Sequence, residues 1–124
     1  MLKYVNENLT FDNIDIQELG QTIQSPFYLY SENIIISNLG EYIDELKNVD
    51  SLVCYSVKAN SNLSILSLLS KKGLGFDIVS GGELHRVIKA GGDTSKVVFS
   101  GVGKTDEEIC LLYTSDAADE RLSV

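Results

Sequence analysis

Tyr55-Ser56-Val57-Lys58-Ala59-Asn60 places a lysine where an apolar, strand-like run gives way to a loop. A lysine that is partly desolvated and lowered in pKa offers a neutral amine, which condenses with an aldehyde to form an imine. If the run is a strand of a βα barrel, Lys58 gains weight, because the carboxyl ends of barrel strands build the active site. On spacing alone, the plainer reading is a lysine that ends a strand and points into water.

The second informative stretch is Gly75-Phe76-Asp77-Ile78-Val79-Ser80-Gly81-Gly82-Glu83-Leu84, a strand followed at once by a glycine-rich helix start. Backbone N–H groups in such a turn could face an anion or a ring system. Ser80 and Glu83 are equally explained as a capping box, in which each side chain satisfies a backbone donor at the helix start. Asp77 is harder to dismiss, since a carboxylate within an apolar strand must be buried or paired. His85, the only histidine, is expected on the solvent side of the following helix, whose inward face is set by Leu84 and Ile88. Gly101-Val102-Gly103-Lys104-Thr105 has the outward look of a phosphate loop but lacks the leading glycine, so it is read as a strand-to-helix turn.

The elements that must position these residues follow from periodicity. Strands are predicted at residues 27–30, 52–57, 75–79 and 96–100, alternating with segments of helical period, the signature of βα units and a parallel sheet. Ile36, Leu39, Ile43 and Leu46 recur at helical steps after a capping Ser31, and a second helix over about 62–72 turns Leu66 and Leu69 inward and stops before Gly73. A third helix opens at Ser80, buries Leu84, Val87 and Ile88, and ends at Gly91-Gly92. A fourth opens at the capping box Thr105-Asp106-Glu107-Glu108. The interior strands recur roughly every 22 residues, and a closed (β/α)8 barrel needs about 250 in all, so the chain supplies less than half of one. Residues 2–5 and 9–11 read as short strands and 16–23 as a short helix. They lack the βα rhythm and are assigned to a different sheet.

Of the 124 residues 44% are hydrophobic, which favours a packed core. The net charge of −8 opposes partners that need a basic surface, so neither nucleic acid nor an anionic membrane is expected. No apolar run of about 18 residues and no basic leader is visible, and a cytoplasmic location is expected. Cys54 and Cys110 are too few for a disulfide framework or a metal site, and Cys54 is read as a buried thiol.

Taken together, these segments resemble the diaminopimelate decarboxylases, within the pyridoxal-phosphate-dependent ornithine, diaminopimelate and arginine decarboxylase family. The resemblance runs from about residue 9 to 109. Ser25-Pro26-Phe27-Tyr28-Leu29-Tyr30 is similar to the family's threonine-proline-aromatic opening, and residues 54–62 to its cofactor-lysine motif. Residues 75–84 resemble its glycine-glycine-glutamate segment, and residues 97–105 the strand and turn that follow. The resemblance implies an α/β chain forming part of a (β/α)8 barrel of the alanine racemase type. Its amino-terminal strands would belong to a separate β domain that is mostly missing. It implies pyridoxal 5'-phosphate carried by Lys58, with Asp77 and Glu83 matching acidic positions on the cofactor side of the barrel. The implied reaction is decarboxylation of meso-diaminopimelate to lysine in a homodimer. Ornithine, arginine or carboxynorspermidine decarboxylases, and a non-catalytic pyridoxal-phosphate-binding protein, are the alternatives. The family's ring-stacking histidine, phosphate loop and carboxyl-terminal domain fall beyond this chain, so by itself it is not expected to turn over substrate.

Three segments are therefore expected: residues 1–31 as part of the β domain, 32–109 as the first portion of the barrel, and 110–124 as a non-native tail. Cys110-Leu111-Leu112-Tyr113-Thr114-Ser115-Asp116-Ala117-Ala118-Asp119-Glu120 is encoded in order by a transposon-end sequencing adapter read as TGT CTC TTA TAC ACA TCT GAC GCT GCC GAC GAR.

Overall fold

A computed structural model describes residues 2–114, which divide by packing into two compact units, meeting between residues 49 and 50. Residues 115–124, most of the expected non-native tail, lie outside the described residues.

The first unit starts with three antiparallel strands in chain order, β1 (Leu2–Val5), β2 (Asn8–Phe11) and β3 (Ile14–Asp15). Two-residue turns join them, and both central residues of each have positive φ: Asn6 and Glu7 at 48° and 69°, Asp12 and Asn13 at 53° and 68°. Tight hairpins select this geometry because its twist matches that of the flanking strands. Helix α1 (Ile16–Thr22) is capped by Asp15, whose carboxylate accepts from the N–H groups of Gln17 and Glu18. Helix α2 (Glu32–Leu46) is capped by Ser31 as expected, through the N–H of Ile34. Ser31 Oγ and Asn33 Nδ2 both donate to Asp12 Oδ2, at 2.7 and 2.9 Å, so the second hairpin turn is tied to the start of α2. Of the apolar stripe predicted for α2, Leu39 is buried but Ile43 is 45% exposed.

Residues 27–30 do not form the predicted strand. An extended run becomes a strand only when a neighbour completes its ladder, and none of the described strands pairs with it. Tyr28 and Tyr30 instead stack on each other, ring centres 6.5 Å apart.

The second unit alternates strand and helix. Strand β4 (Cys54–Ser56), a 3-10 turn (Val57–Ala59) and helix α3 (Leu63–Lys71) are followed by β5 (Gly75–Ile78) and α4 (Gly81–Lys89). A second 3-10 turn (Thr94–Lys96) leads into β6 (Val97–Phe99), and then comes α5 (Asp106–Thr114). The three strands lie parallel in chain order, which agrees with the expected mixed α/β rhythm. Leu66, Phe76, Ile78, Leu84 and Val87, each no more than 1% exposed, fill the space between sheet and helices. At about 1.5–3 kcal/mol per large apolar side chain, this cluster is the main stabilising term of the unit. Gly73, at φ +82°, ends α3 as predicted: its N–H reaches Ser70 O and that of Leu74 reaches Leu69 O. Gly75 answers a different demand, since a Cβ there would lie 2.5 Å from Lys96 O and 2.7 Å from Cys54 Sγ.

Two burial expectations are corrected. Ile88 is 45% exposed, because Leu84 and Val87 already form the buried row of the short helix α4. Cys54 is half-buried, since it lies on the sheet face opposite the core. No helix among the described residues is long and apolar enough to cross a membrane.

Candidate functional site

The parallel register decides which polar side chains meet. Ser56 on β4 pairs with Asp77 on β5, and Asp77 pairs with Val98 on β6. Paired residues share a sheet face, and Phe76 and Ile78 on either side of Asp77 turn the opposite way into the core. Ser56 and Asp77 are thus neighbours on the face away from the helices. Ser56 Oγ and Asp77 Oδ1 are both buried without a hydrogen-bond partner. Buried polar atoms are nearly always satisfied, so an adjacent orphaned pair marks a place built for a polar ligand.

Lys58 follows two residues after Ser56. It lies in the 3-10 turn rather than directly at the strand end, because β4 stops at Ser56 and Val57 turns fully into the core. Lys58 itself is exposed, at the carboxyl end of the parallel sheet. The loop beyond it is closely held. Tyr55 Oη donates to Asn60 O at 3.2 Å, Asn60 Oδ1 accepts from Asn62 N–H, and Asn62 Oδ1 caps α3 through Ser64 N–H. From α4, Arg86 Nη1 donates to Ser61 O at 3.2 Å.

Glu83 and Ser80 form the expected reciprocal cap with one shift of position. Ser80 Oγ accepts from Glu83 N–H at 3.3 Å, while Glu83 Oε2 accepts from Val79 N–H at 2.8 Å, one residue before the cap. A third donor of this turn, Gly81 N–H, is taken by Glu108 Oε1 of α5 at 3.0 Å. The other Glu108 oxygen accepts from Thr105 N–H and Oγ1, completing the predicted box at the start of α5. These bonds, led by that of Gly81, hold the Glu108 carboxyl below its ordinary pKa. The start of α4 therefore already carries two carboxylates of its own, which argues against its use for an external anion.

His85 is exposed as expected, its Nδ1 2.8 Å from Gly81 O. The Gly101 to Thr105 segment behaves as a turn: Lys104 Nζ lies 5.3 Å from the centre of the Phe99 ring, and Thr105 caps α5.

The structure thus sets Lys58 just after β4, Asp77 on the neighbouring strand, and Glu83 at the first turn of the helix that follows that strand. Sequence reasoning missed Ser56, Arg86 and the bond of Glu108 to Gly81 N–H across from α5. A polar residue inside an apolar strand is the signal that singled out Asp77, and it would also have found Ser56. The other two leave no local trace. An amine, a carboxylate with one buried, unpartnered oxygen and a buried hydroxyl oxygen make a fitting set for a polar aldehyde.

Comparison with known proteins shows the family. Residues 32–118 match the family model described as pyridoxal-dependent decarboxylase, pyridoxal binding domain. A diaminopimelate decarboxylase of Pseudomonas aeruginosa is 45% identical over 106 residues, covering 86% of this chain and 26% of the relative. Among solved structures, the diaminopimelate decarboxylase of M. jannaschii in co-complex with L-lysine superposes with a TM-score of 0.87 at 35% identity, over 92% of this chain and 28% of that one. The enzyme of Helicobacter pylori complexed with L-lysine does so with a TM-score of 0.79 at 46% identity, over 82% and 26%. The chain spans about a quarter of the length of the relatives it matches. With residues 32–118 matching the family model, this chain belongs to the pyridoxal-dependent decarboxylases and matches their pyridoxal-binding domain, whose cofactor is pyridoxal phosphate.

Proposed function

We propose that this chain forms the cofactor-lysine portion of a diaminopimelate decarboxylase, acting on meso-diaminopimelate to give lysine and carbon dioxide. The observation that carries the reading is the amine of Lys58 beside the carboxyl end of a parallel sheet whose next strand holds Asp77, with its Oδ1 buried and unpartnered. The three-stranded sheet is the opening of a (β/α)8 barrel of the alanine racemase type, and β1 to β3 belong to a separate β domain. A cytoplasmic homodimer and a non-native origin for residues 110–124 complete the proposal.

Within it, Lys58 would supply the amine that holds the cofactor's aldehyde. Asp77 and Ser56 offer polar atoms toward the cofactor from the sheet face. Glu83 lines the same side while its Oε2 fixes the backbone of Val79. When bound, pyridoxal phosphate supplies the electron sink that takes the pair left by the departing carboxylate.

The test is borohydride reduction of a full-length decarboxylase carrying this segment, followed by peptide mapping, and then carbon dioxide release from meso-diaminopimelate. Label on Lys58 with release supports the proposal. Label without release from any basic amino acid would turn the reading to a non-catalytic pyridoxal-phosphate-binding protein. Release from ornithine or arginine instead would correct the substrate. Label on another lysine would overturn the site.

A further inference from the structure

We infer that Arg86 is a positioning residue for Lys58, holding the loop after the cofactor lysine from a neighbouring helix. The inference rests on the Lys58 assignment above. Lys58 sits in a turn of only three residues, and short 3-10 turns hold their shape weakly. Its upstream side is anchored, because Val57 is fully buried and Ser56 is part of the sheet. Its downstream side is residues 60–62, where the bonds from Tyr55 Oη, Asn60 Oδ1 and Asn62 Oδ1 all arise within the same β4 to α3 segment and move with it. Arg86 differs, since its guanidinium reaches Ser61 O across 25 positions of sequence.

Helix α4 is a firm platform for that reach, with Leu84 and Val87 on either side of Arg86 turned fully into the core. The same helix opens with Glu83, whose carboxylate fixes Val79. One rigid element therefore holds both the turn after β5 and the loop after Lys58. A planar guanidinium loses little freedom per hydrogen bond formed, so arginine suits this task better than lysine. Freed from Arg86, residues 60–62 would widen the range of positions Lys58 samples, and fewer of them would meet the aldehyde.

The experiment uses a full-length decarboxylase carrying this segment, with pyridoxal phosphate as the probe. It reads the cofactor dissociation constant, the pH midpoint of the visible absorbance of the Lys58-bound cofactor, and the melting temperature. Arg86→Met, which keeps the apolar stem and loses the donors, should weaken cofactor retention by about three- to five-fold and shift the pH midpoint. Arg86→Lys should recover about half of that loss. Arg86→Gln, too short to reach Ser61 O, should follow Arg86→Met and decides the matter if the methionine variant does not fold. Lys89→Met, one charge removed from the same helix, should match the parent. Parental affinity and pH midpoint in Arg86→Met and Arg86→Gln would overturn the inference, as would an equal loss in Lys89→Met. A lower melting temperature without a change in the pH midpoint would also overturn it. Absence of borohydride label at Lys58 in the parent would defeat both readings, whereas label there with unaffected Arg86 variants would defeat this one alone.

Discussion

The two units are stabilised by different means. In residues 1–49 the hairpin turns, the Asp15 cap and the Asp12 bridge to Ser31 and Asn33 define the structure. There the buried positions are Leu39, Thr10 and Ser31, none of them fully enclosed, while Leu2, Tyr4 and Ile14 stay at least half exposed. In the unit from residue 50 to 114 a continuous apolar cluster around Phe76 carries the fold, and polar bonds adjust the loops on top of it. Antiparallel hairpins close over a few residues and can be specified locally. Parallel strands need crossovers and repay them only by burying helices on a sheet face. The unit with the larger core is also the one that holds two unsatisfied polar atoms, on the sheet face opposite that core.

Cutting into each core should make the contrast measurable. Phe76→Ala removes the largest fully buried side chain, and a loss of about 3–5 kcal/mol is expected in urea unfolding. Leu39→Ala should cost about 2 kcal/mol, at the low end for such truncations, because Leu39 keeps 8% exposure and has few buried neighbours in its unit. Equal losses would show that the first unit is as dependent on its core as the second.

Asp77→Asn tests whether the second unit gives up stability for its site. Replacing a carboxylate whose Oδ1 is buried and unpartnered with a neutral group should stabilise the cofactor-free protein by about 1 kcal/mol while weakening its hold on pyridoxal phosphate. Destabilisation of the cofactor-free form would mean that Asp77 has a structural task.

The smallest effects concern two carboxylates that play the same part in the two units. The Ser31 hydroxyl, followed by Asn33, holds Asp12 below its ordinary value, as the N–H of Gly81 does for Glu108. A carboxylate whose folded pKa is depressed contributes stability above its unfolded value of about 4 and loses it as pH falls through the folded one. Asp12→Asn and Glu108→Gln should therefore each lower stability slightly at neutral pH, flatten the acid limb of the stability curve, and meet the parent below the folded pKa. Hydrogen exchange at neutral pH should place the first effect at Ser31 to Ile34 and the second at Gly81. A difference from the parent that persists at low pH in either variant would point to lost hydrogen-bond geometry instead of lost charge.

Much of the candidate site was legible because its signals are short. Lys58 stands out at the end of an apolar run, and Asp77 stands out as a charge within one. Legibility failed where a partner was needed. Residues 27–30 have strand composition and no ladder to join, and Ile88 has the right spacing for a buried row that was already full.

The sequence by itself determined the features completed within about one helical turn: the caps at Ser31, Ser80 and Thr105, the left-handed stop at Gly73, and the motif around Lys58. Tertiary structure alone decided that Ser56 lies beside Asp77, that Glu108 caps α4, and that Arg86 holds Ser61. Each of these contacts depends on the register of strands or helices more than 20 residues apart, which no local pattern of residues encodes.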